Sequence, residues 1–232
     1  MIKKMFSFIL IIFLFLILFE LLNNLTENKK LSGVAKEYAE RGAAELGTAN
    51  LVTSIVVTYR GLDTLGEVSV LFIAATGVAV LLRRRKDEEI LIQKVKRQSS
   101  EILQTGTDLL VPIIIMFGVY IFINGHLSPG GGFQGGAVIA SAVLLSFLSD
   151  INYKINHTVF GLIESLSGVF YVLIGVLGIF LAGGFLDNRI LPLGEYGTIL
   201  SAGAIPLIYT LIGLKVGTEL ASIIDNMKRD SE

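Results

Sequence analysis

The sequence predicts an all-α integral membrane protein with about six transmembrane helices, and three observations carry that prediction. The 232 residues are 53% apolar and only 17% charged, with a mean hydropathy of +0.71, whereas soluble domains run roughly 45–50% apolar and about 25% charged. The apolar residues gather into runs of spanning length, against the roughly 17–25 residues a helix needs to cross a bilayer. Those runs lack the strict alternation of a barrel strand, which leaves the helix as the element that satisfies its own backbone in lipid. The same composition excludes a disordered chain. The chain has no cysteine, which removes thiolate metal sites, iron–sulfur ligation and thiol chemistry. Its two histidines, His126 and His157, are too few for a histidine cage, so no metal site and no cofactor are expected. A net charge of −1 gives no general pull toward nucleic acid.

The first run, Met5 to Leu22, is the most hydrophobic piece of the chain. Lys3 and Lys4 precede it as in a signal peptide. Its core is longer than a usual signal core, though, and Asn23–Asn24–Leu25–Thr26 offers no small-residue cleavage pattern, so a retained helix is expected. The second run is about Gly66 to Leu82, the third Leu109 to Ile123 (short but extendable at either end), the fourth Gly135 to Leu148, the fifth Val159 to Leu181 and the sixth Thr198 to Ile224. Lys and Arg set the orientation. With the N-terminus inside, the inner segments carry about twice as many as the outer ones, led by the block Arg83 to Lys86. Both termini are therefore expected on the cytoplasmic side of a multi-pass protein of the cell membrane.

Three pieces follow along the chain: 1–82, with two spans; 83–108, a charged cytoplasmic linker; and 109–232, a four-span block. The linker holds an amphipathic stretch, Ile90, Leu91 and Val95, then Ile102 and Leu103, suited to a lipid surface or a partner. No internal repeat supports an inverted-repeat transporter. In the outer segment, Leu51 to Tyr59 reads either as a short strand or as an interfacial helix. Gly61 permits a turn, and Asp63 or Thr64 can cap a helix starting near Glu67, whose carboxylate suits a first turn. Capping by itself accounts for both acids.

Ionisable residues inside spans cost about 2.5–3.5 kcal/mol on insertion scales and are functional candidates by default. Glu67 lies at the outer end of the second span and Glu164 one turn into the fifth. Lys215 and Glu219 stand four residues apart on one face of the sixth, where they can pair. A structural ion pair and a part in ion transfer weigh about equally for them. Asp108 and Glu20, at span ends near water, are discounted. Asn124 to Gly136 is the most distinctive loop, with Gly125, Pro129, Gly130, Gly131, Gly132 and Gln134 inside it. It lacks the lysine and the strand–loop–helix frame of a phosphate cradle, which excludes a nucleotide site. A tight structural turn is the plain reading, with His126 and Gln134 as its good hydrogen-bonding side chains, and His126 as a titrating relay is the sharper one. No nucleophile–base set stands out, so no catalytic residues are expected.

The run GHLSPGGGFQGG, Gly125 to Gly136, after the apolar Val111–Ile123 span, resembles the MrpB/MnhB family of subunits of Mrp-type sodium/proton antiporters over about residues 105–225. YRGLDTLGE, Tyr59 to Glu67, followed by an apolar helix and a basic run, resembles the C-terminal membrane region of MrpA. In membrane-bound hydrogenases and related sulfane reductases that region is a separate small subunit. Here it has its own N-terminal helix and is joined directly to an MrpB-like block, so the chain resembles a fusion of two small subunits of the hydrogenase type. The resemblance implies a non-catalytic subunit of a Na⁺ and H⁺ translocating module in a redox-driven respiratory complex. Its implied partners are other Mrp-type membrane subunits, redox subunits and lipid. It also implies that Asp63 and Glu67 belong to a motif associated with the cation path, and it assigns nothing to His126, Glu164, Lys215 or Glu219. A component of a stand-alone Mrp antiporter and a purely structural scaffold are the competing readings. Small residues such as Gly136, Ala140, Gly161 and Gly168 suit tight helix packing among many subunits.

Overall fold

The computed structural model describes residues 2–23, 31–82, 99–150 and 152–231. The basic block Arg83 to Lys86 and the first part of the amphipathic stretch, Ile90, Leu91 and Val95, lie outside the described residues. The chain packs as two units, 1–37 and 38–232. In the first, helix α1 (Ile2–Asn23) is apolar all round and exposes every described side chain from Met5 to Glu20. Helix α2 (Gly33–Leu46) runs across the sequence boundary between the units. A short helix α3 (Leu51–Thr53) continues as a π-helical turn, Ser54–Tyr59. Then come α4 (Gly61–Leu81), α5 (Glu101–Ile123), α6 (Gly132–Ser149), α7 (His157–Leu181) and α8 (Ile205–Ser231). No strand occurs among the described residues. The chain is thus an all-α membrane protein: α4 to α8 are each long and apolar enough to cross a bilayer, and α1 adds a shorter apolar stretch, Met5–Glu20.

Several boundaries differ from the sequence expectation, each for a local reason. Of the two readings open for Leu51 to Tyr59 the helix is the one formed, and Asn50 caps its first turn by accepting a hydrogen bond from Val52 N at 3.1 Å. Helix α4 begins at Gly61, ahead of the expected start near Glu67. Asp63 does not cap it but pairs with Arg60, and Thr64 Oγ1 donates back to Val56 O at 2.8 Å. Glu67 therefore stands in the second turn. Ser100 caps α5, which starts at Glu101 and not at Leu109. The Gly-rich run is only partly loop: Gly132 onward is helix α6, and Asn124 and Ser128 also hydrogen-bond locally, to Tyr120 O and Asn124 O. Helix α8 starts at Ile205, not at Thr198, because Ala202 (φ 64°) and Gly203 (φ 58°) turn the chain into the left-handed region just before it.

Helix α8 is the centre of the second unit. It packs on α4, α5, α6 and α7, and half of its apolar window is buried, as is half of α6, against 11% for α4. The α6–α8 contact is made backbone to backbone. A Cβ at Gly136 would stand 2.8 Å from Gly213 O and 2.9 Å from Gly217 N. Likewise a Cβ at Gly135 would stand 2.6 Å from Gly118 O on α5. Lipid tails are as apolar as the helices, so close packing of small residues supplies the attraction between spans. The core that results runs through Phe122, Tyr171, Ile205, Ile208, Ile212 and Val216. Most other apolar faces, on α4, α5 and α7, are exposed and suit lipid or neighbouring subunits.

The loops gather at the two ends of this bundle. One end holds α2, the π-helical turn, the Gly-rich loop and the α7–α8 loop. The other holds Ser99, Asp150, Asn152 to His157 and the end of α8, where Lys228 Nζ donates to Tyr153 O at 3.0 Å and His157 Nε2 meets Asp225 Oδ2 at 3.4 Å. Replacing Gly136 with valine is expected to destabilise the bundle by about 1–3 kcal/mol or more through overpacking. Gly161→Ala, where an added Cβ meets nothing within 4 Å, is expected to leave it unchanged. The loss of helical circular dichroism on heating in mild detergent measures both.

Candidate functional site: a charged seam between α4, α7 and α8

Lys215 and Glu219 point from α8 into the bundle, four residues apart, and meet at 2.6 Å. The Glu219 side chain is fully buried and that of Lys215 is 12% exposed. A lone charge at this depth is strongly disfavoured, and the partner makes the position tenable. Only one Glu219 oxygen is used: Oε1 accepts from Lys215 Nζ, while Oε2 is buried without a hydrogen-bond partner among the described residues. Glu164 on α7 is half-buried and near enough to act on Glu219 electrostatically.

Lys215 extends toward α4 and α7 into a groove of about 300 Å³. Leu65, Val68, Phe72, Gly168 and Tyr171 line the groove with it. Its ammonium lies 5.0 Å from the centre of the Phe72 ring, a cation–π distance. It runs over Gly168, where a Cβ would meet Lys215 Nζ at 3.6 Å. Tyr171, one turn further along α7, is 1% exposed, and its hydroxyl is buried without a hydrogen-bond partner among the described residues. Glu67, exposed on α4, is the charged group whose field reaches that hydroxyl. The seam thus joins Lys215 and Glu219 directly, with Glu164 acting on Glu219 and Glu67 acting on Tyr171 through their charge. Tyr171 was not legible as a member, since a tyrosine in an apolar run reads as filler.

His126 is elsewhere. It is fully buried in the Gly-rich loop, its Nε2–H donates to Thr198 O at 3.1 Å, and its Nδ1 has no partner among the described residues. Gln134 is exposed at the start of α6. The loop is held from outside by Asn50, whose side-chain amide donates to Gly125 O at 2.9 Å and Ser128 O at 3.0 Å, while its backbone N–H donates to His126 O at 3.0 Å. Tyr209 donates to Thr53 Oγ1, which donates to Gly125 O at 2.7 Å. Gly125 itself is required because a Cβ there would stand 2.7 Å from the Tyr209 ring.

Asp63 lies in a second place, the loop end above the seam. There a cavity of about 490 Å³ is bounded by Glu45, Tyr59, Arg60, Asp63, Asp187 and Arg189. Arg189 is clamped by Asp187, with Nη2–Oδ2 at 2.5 Å and Nε–Oδ1 at 2.9 Å, and reaches Glu45 at 3.4 Å. Tyr59 donates to Glu45 Oε2 at 2.7 Å. The Arg189 hydrogen bonds hold the Asp187 carboxyl below its ordinary value against the opposing effect of burial, and Asp187 raises Arg189 in turn. Burial, then the Glu45 hydrogen bond, pushes the Tyr59 phenol up to about 12.

Lys215→Met or Glu219→Gln alone is expected to cost roughly 3–5 kcal/mol, since each strands a buried polar partner, and the double variant to cost less than the sum. Melting in detergent checks this. Asp187 has a depressed pKa in the folded state, so its contribution is full above the unfolded value of about 3.9 and disappears as pH falls through the folded value. Asp187→Asn is therefore expected to melt earlier than the parent at pH 7, with the gap closing as the pH is lowered below the ordinary carboxylate range.

Comparison with known proteins agrees with this architecture. Residues 102–222 match the family described as a domain related to the MnhB subunit of Na⁺/H⁺ antiporter, and residues 8–99 match the MbhE family of MBH subunits. An uncharacterised protein of Methanocaldococcus jannaschii is 30% identical over 191 residues, 72% of each chain. The A/B subunit of a probable K⁺/H⁺ antiporter of Rhizobium meliloti is 30% identical over 140 residues, 50% of this chain and 14% of that one. The putative antiporter subunit mnhB2 of Staphylococcus aureus is 33% identical over 89 residues, 34% of this chain and 63% of that one. The chain thus spans less than two thirds of these two antiporter relatives. Among solved structures, a chain of the membrane-bound sulfane sulfur reductase, an archaeal respiratory membrane complex, superposes with a TM-score of 0.82 at 45% identity over 98% of both chains. A chain of the Mrp complex from a Dietzia species superposes with a TM-score of 0.76 at 23% identity, over 97% of this chain and 26% of that one, a likeness of fold alone. The chain belongs to the family of membrane domains related to the MnhB subunit of Na⁺/H⁺ antiporters.

Proposed function

We propose that this chain is a non-catalytic subunit of an Mrp-type Na⁺/H⁺ translocating module in a redox-driven respiratory complex, and that the seam between α4, α7 and α8 forms part of its ion path. The observation that carries the path is the buried Lys215–Glu219 pair, with Glu164 beside it and Glu67 at the loop end of the same seam. A carboxylate with one oxygen bonded to an ammonium and the other unbonded is suited to exchange a proton with a neighbour. Asp63 stands at the mouth of this path and His126 pins the loop beside it. The two family matches support an MrpA-like N-terminal module, through residue 82, and an MrpB-like C-terminal one, from residue 109. The basic end of the bundle, with Lys154 and Lys228, faces the cytoplasm of a cell membrane by the positive-inside rule, and the Gly-rich loop faces outward.

A stand-alone Mrp antiporter is the second reading. The redox-driven complex is favoured because this chain is 45% identical to a sulfane reductase chain over 98% of both, whereas it covers only 26% of the Mrp complex chain it resembles. The test is purification through a C-terminal tag in mild detergent, with mass spectrometry of what is retained. Mrp-like membrane subunits together with iron–sulfur subunits are the expected result. Mrp-like subunits with a full-length MrpA and no redox subunit would establish the second reading, and recovery of the chain alone and folded would overturn both. In the complete complex, Glu219→Gln and Glu67→Gln are each expected to lower Na⁺-coupled proton movement in proteoliposomes while the retained subunits stay the same. Unchanged transport would leave a scaffold role.

A further inference from the structure

We propose that Tyr171 is a proton relay between Glu67 and Lys215, and that the seam passes protons and not sodium ions. The inference rests on the ion-path reading above and names what passes along the path.

Tyr171 is the one polar side chain on α7 that lines the groove shared with Lys215 among the described residues. Its hydroxyl is buried and lacks a protein hydrogen-bond partner among those residues. Buried hydroxyls are normally paired, since an unpaired one loses its bond to water and gains none in return. Packing does not explain the oxygen either, because a phenylalanine would fill the same volume in the core of Ile174, Ile205 and Ile208. Tyr171 shares the groove with Lys215, which crosses Gly168 one turn away on the same face of α7, and the Glu67 charge acts on the phenol from α4. Beyond Lys215, the pair at 2.6 Å leads to Glu219 and its unbonded Oε2, with Glu164 alongside. The three helices thus supply a carboxylate, a phenol, an amine and a second carboxylate to one seam, and the Lys215–Glu219 link in it is a direct hydrogen bond.

The transfer balances as proton exchange. Lys215 first passes a proton to Glu219 Oε1, so that the pair becomes neutral and the amine is free to accept. A protonated Glu67 then gives its proton to the phenol oxygen, directly or through a water, as the phenol gives its own proton to the Lys215 amine. Glu67 ends as carboxylate, Lys215 as ammonium, Glu219 as carboxylic acid and Tyr171 neutral as it began. No other reactant is needed. A sodium ion is unsuited to the same route. It would have to pass the Lys215 ammonium, which repels it, along walls whose only other polar side chains are Ser69 and Tyr171, too few oxygens to replace its water.

The test uses the complete complex in proteoliposomes, with internal pH read by a dye and sodium by a radioactive tracer. Tyr171→Phe keeps the ring and removes only the oxygen. It is expected to assemble as the parent does, to lower proton flux roughly 10-fold or more, and to leave the sodium concentration for half-maximal exchange unchanged. Tyr171→His, which restores an exchangeable proton, is expected to recover part of the flux. Parental flux in Tyr171→Phe, with loss in Glu219→Gln, would overturn the relay while leaving the ion-path reading intact. Parental flux in Glu219→Gln would instead overturn that reading. A shifted sodium dependence in Tyr171→Phe would place sodium on the seam, and failure of Tyr171→Phe to assemble would make the hydroxyl a structural bond; either result overturns the proposal.

Discussion

The close approach of α6 and α8 is the constraint on which the rest of the bundle depends. At Gly136 and Gly217 the two backbones touch with no side chain between them. That contact places α8 in the middle of the second unit, with α5 behind α6 and with α4 and α7 against the remaining faces. Only a helix surrounded in this way can bury one flank while presenting Lys215 and Glu219 on another. In a bilayer the driving force for such packing is fit between surfaces, so small residues do here what large apolar ones do in a water-soluble core.

The Lys215–Glu219 pair makes a different use of the same interior. A buried ion pair is weak evidence of stabilisation, since desolvation offsets most of its attraction. This pair sits on a half-buried helix, with a second acid on α7 acting on it and an aromatic face under the ammonium, so the enclosed charge has partners on three helices. At the loop end the logic is more ordinary. Arg189, Asp187, Glu45 and Tyr59 form a hydrogen-bonded cluster near water, where charges are cheap and serve to tie the α7–α8 loop to α2 and the π-helical turn.

The spans were legible because hydropathy over twenty residues is a strong signal in a chain this apolar. Their starts were not, because caps and left-handed turns decide them: Ala202 and Gly203 delay α8, and Ser100 lets α5 begin early. Lys215 and Glu219 were legible as neighbours because helical spacing alone puts them on one face. Which other helices face them was not. Tyr171 joins the seam through the rotation of α7, and sequence periodicity does not determine that when the whole helix is apolar. Asn50 and Asn188 were missed for a related reason. Their partners are backbone carbonyls far along the chain, Gly125 for one and Leu46 for the other, and a carbonyl carries no sequence signature.

Those two asparagines also join the two family-matched segments. The family matches meet between residues 99 and 102, yet residues 38–82 and 99–231 belong to one packing unit. Asn50 grips the Gly-rich loop, Asn188 donates to Leu46 O at 2.9 Å, and Thr53 is bonded to both Gly125 and Tyr209. The two family-matched segments therefore meet through hydrogen bonds of their own, independent of the peptide link between them. Such an interface would hold the two segments together as separate polypeptides too, and covalent joining adds effective concentration and fixed stoichiometry.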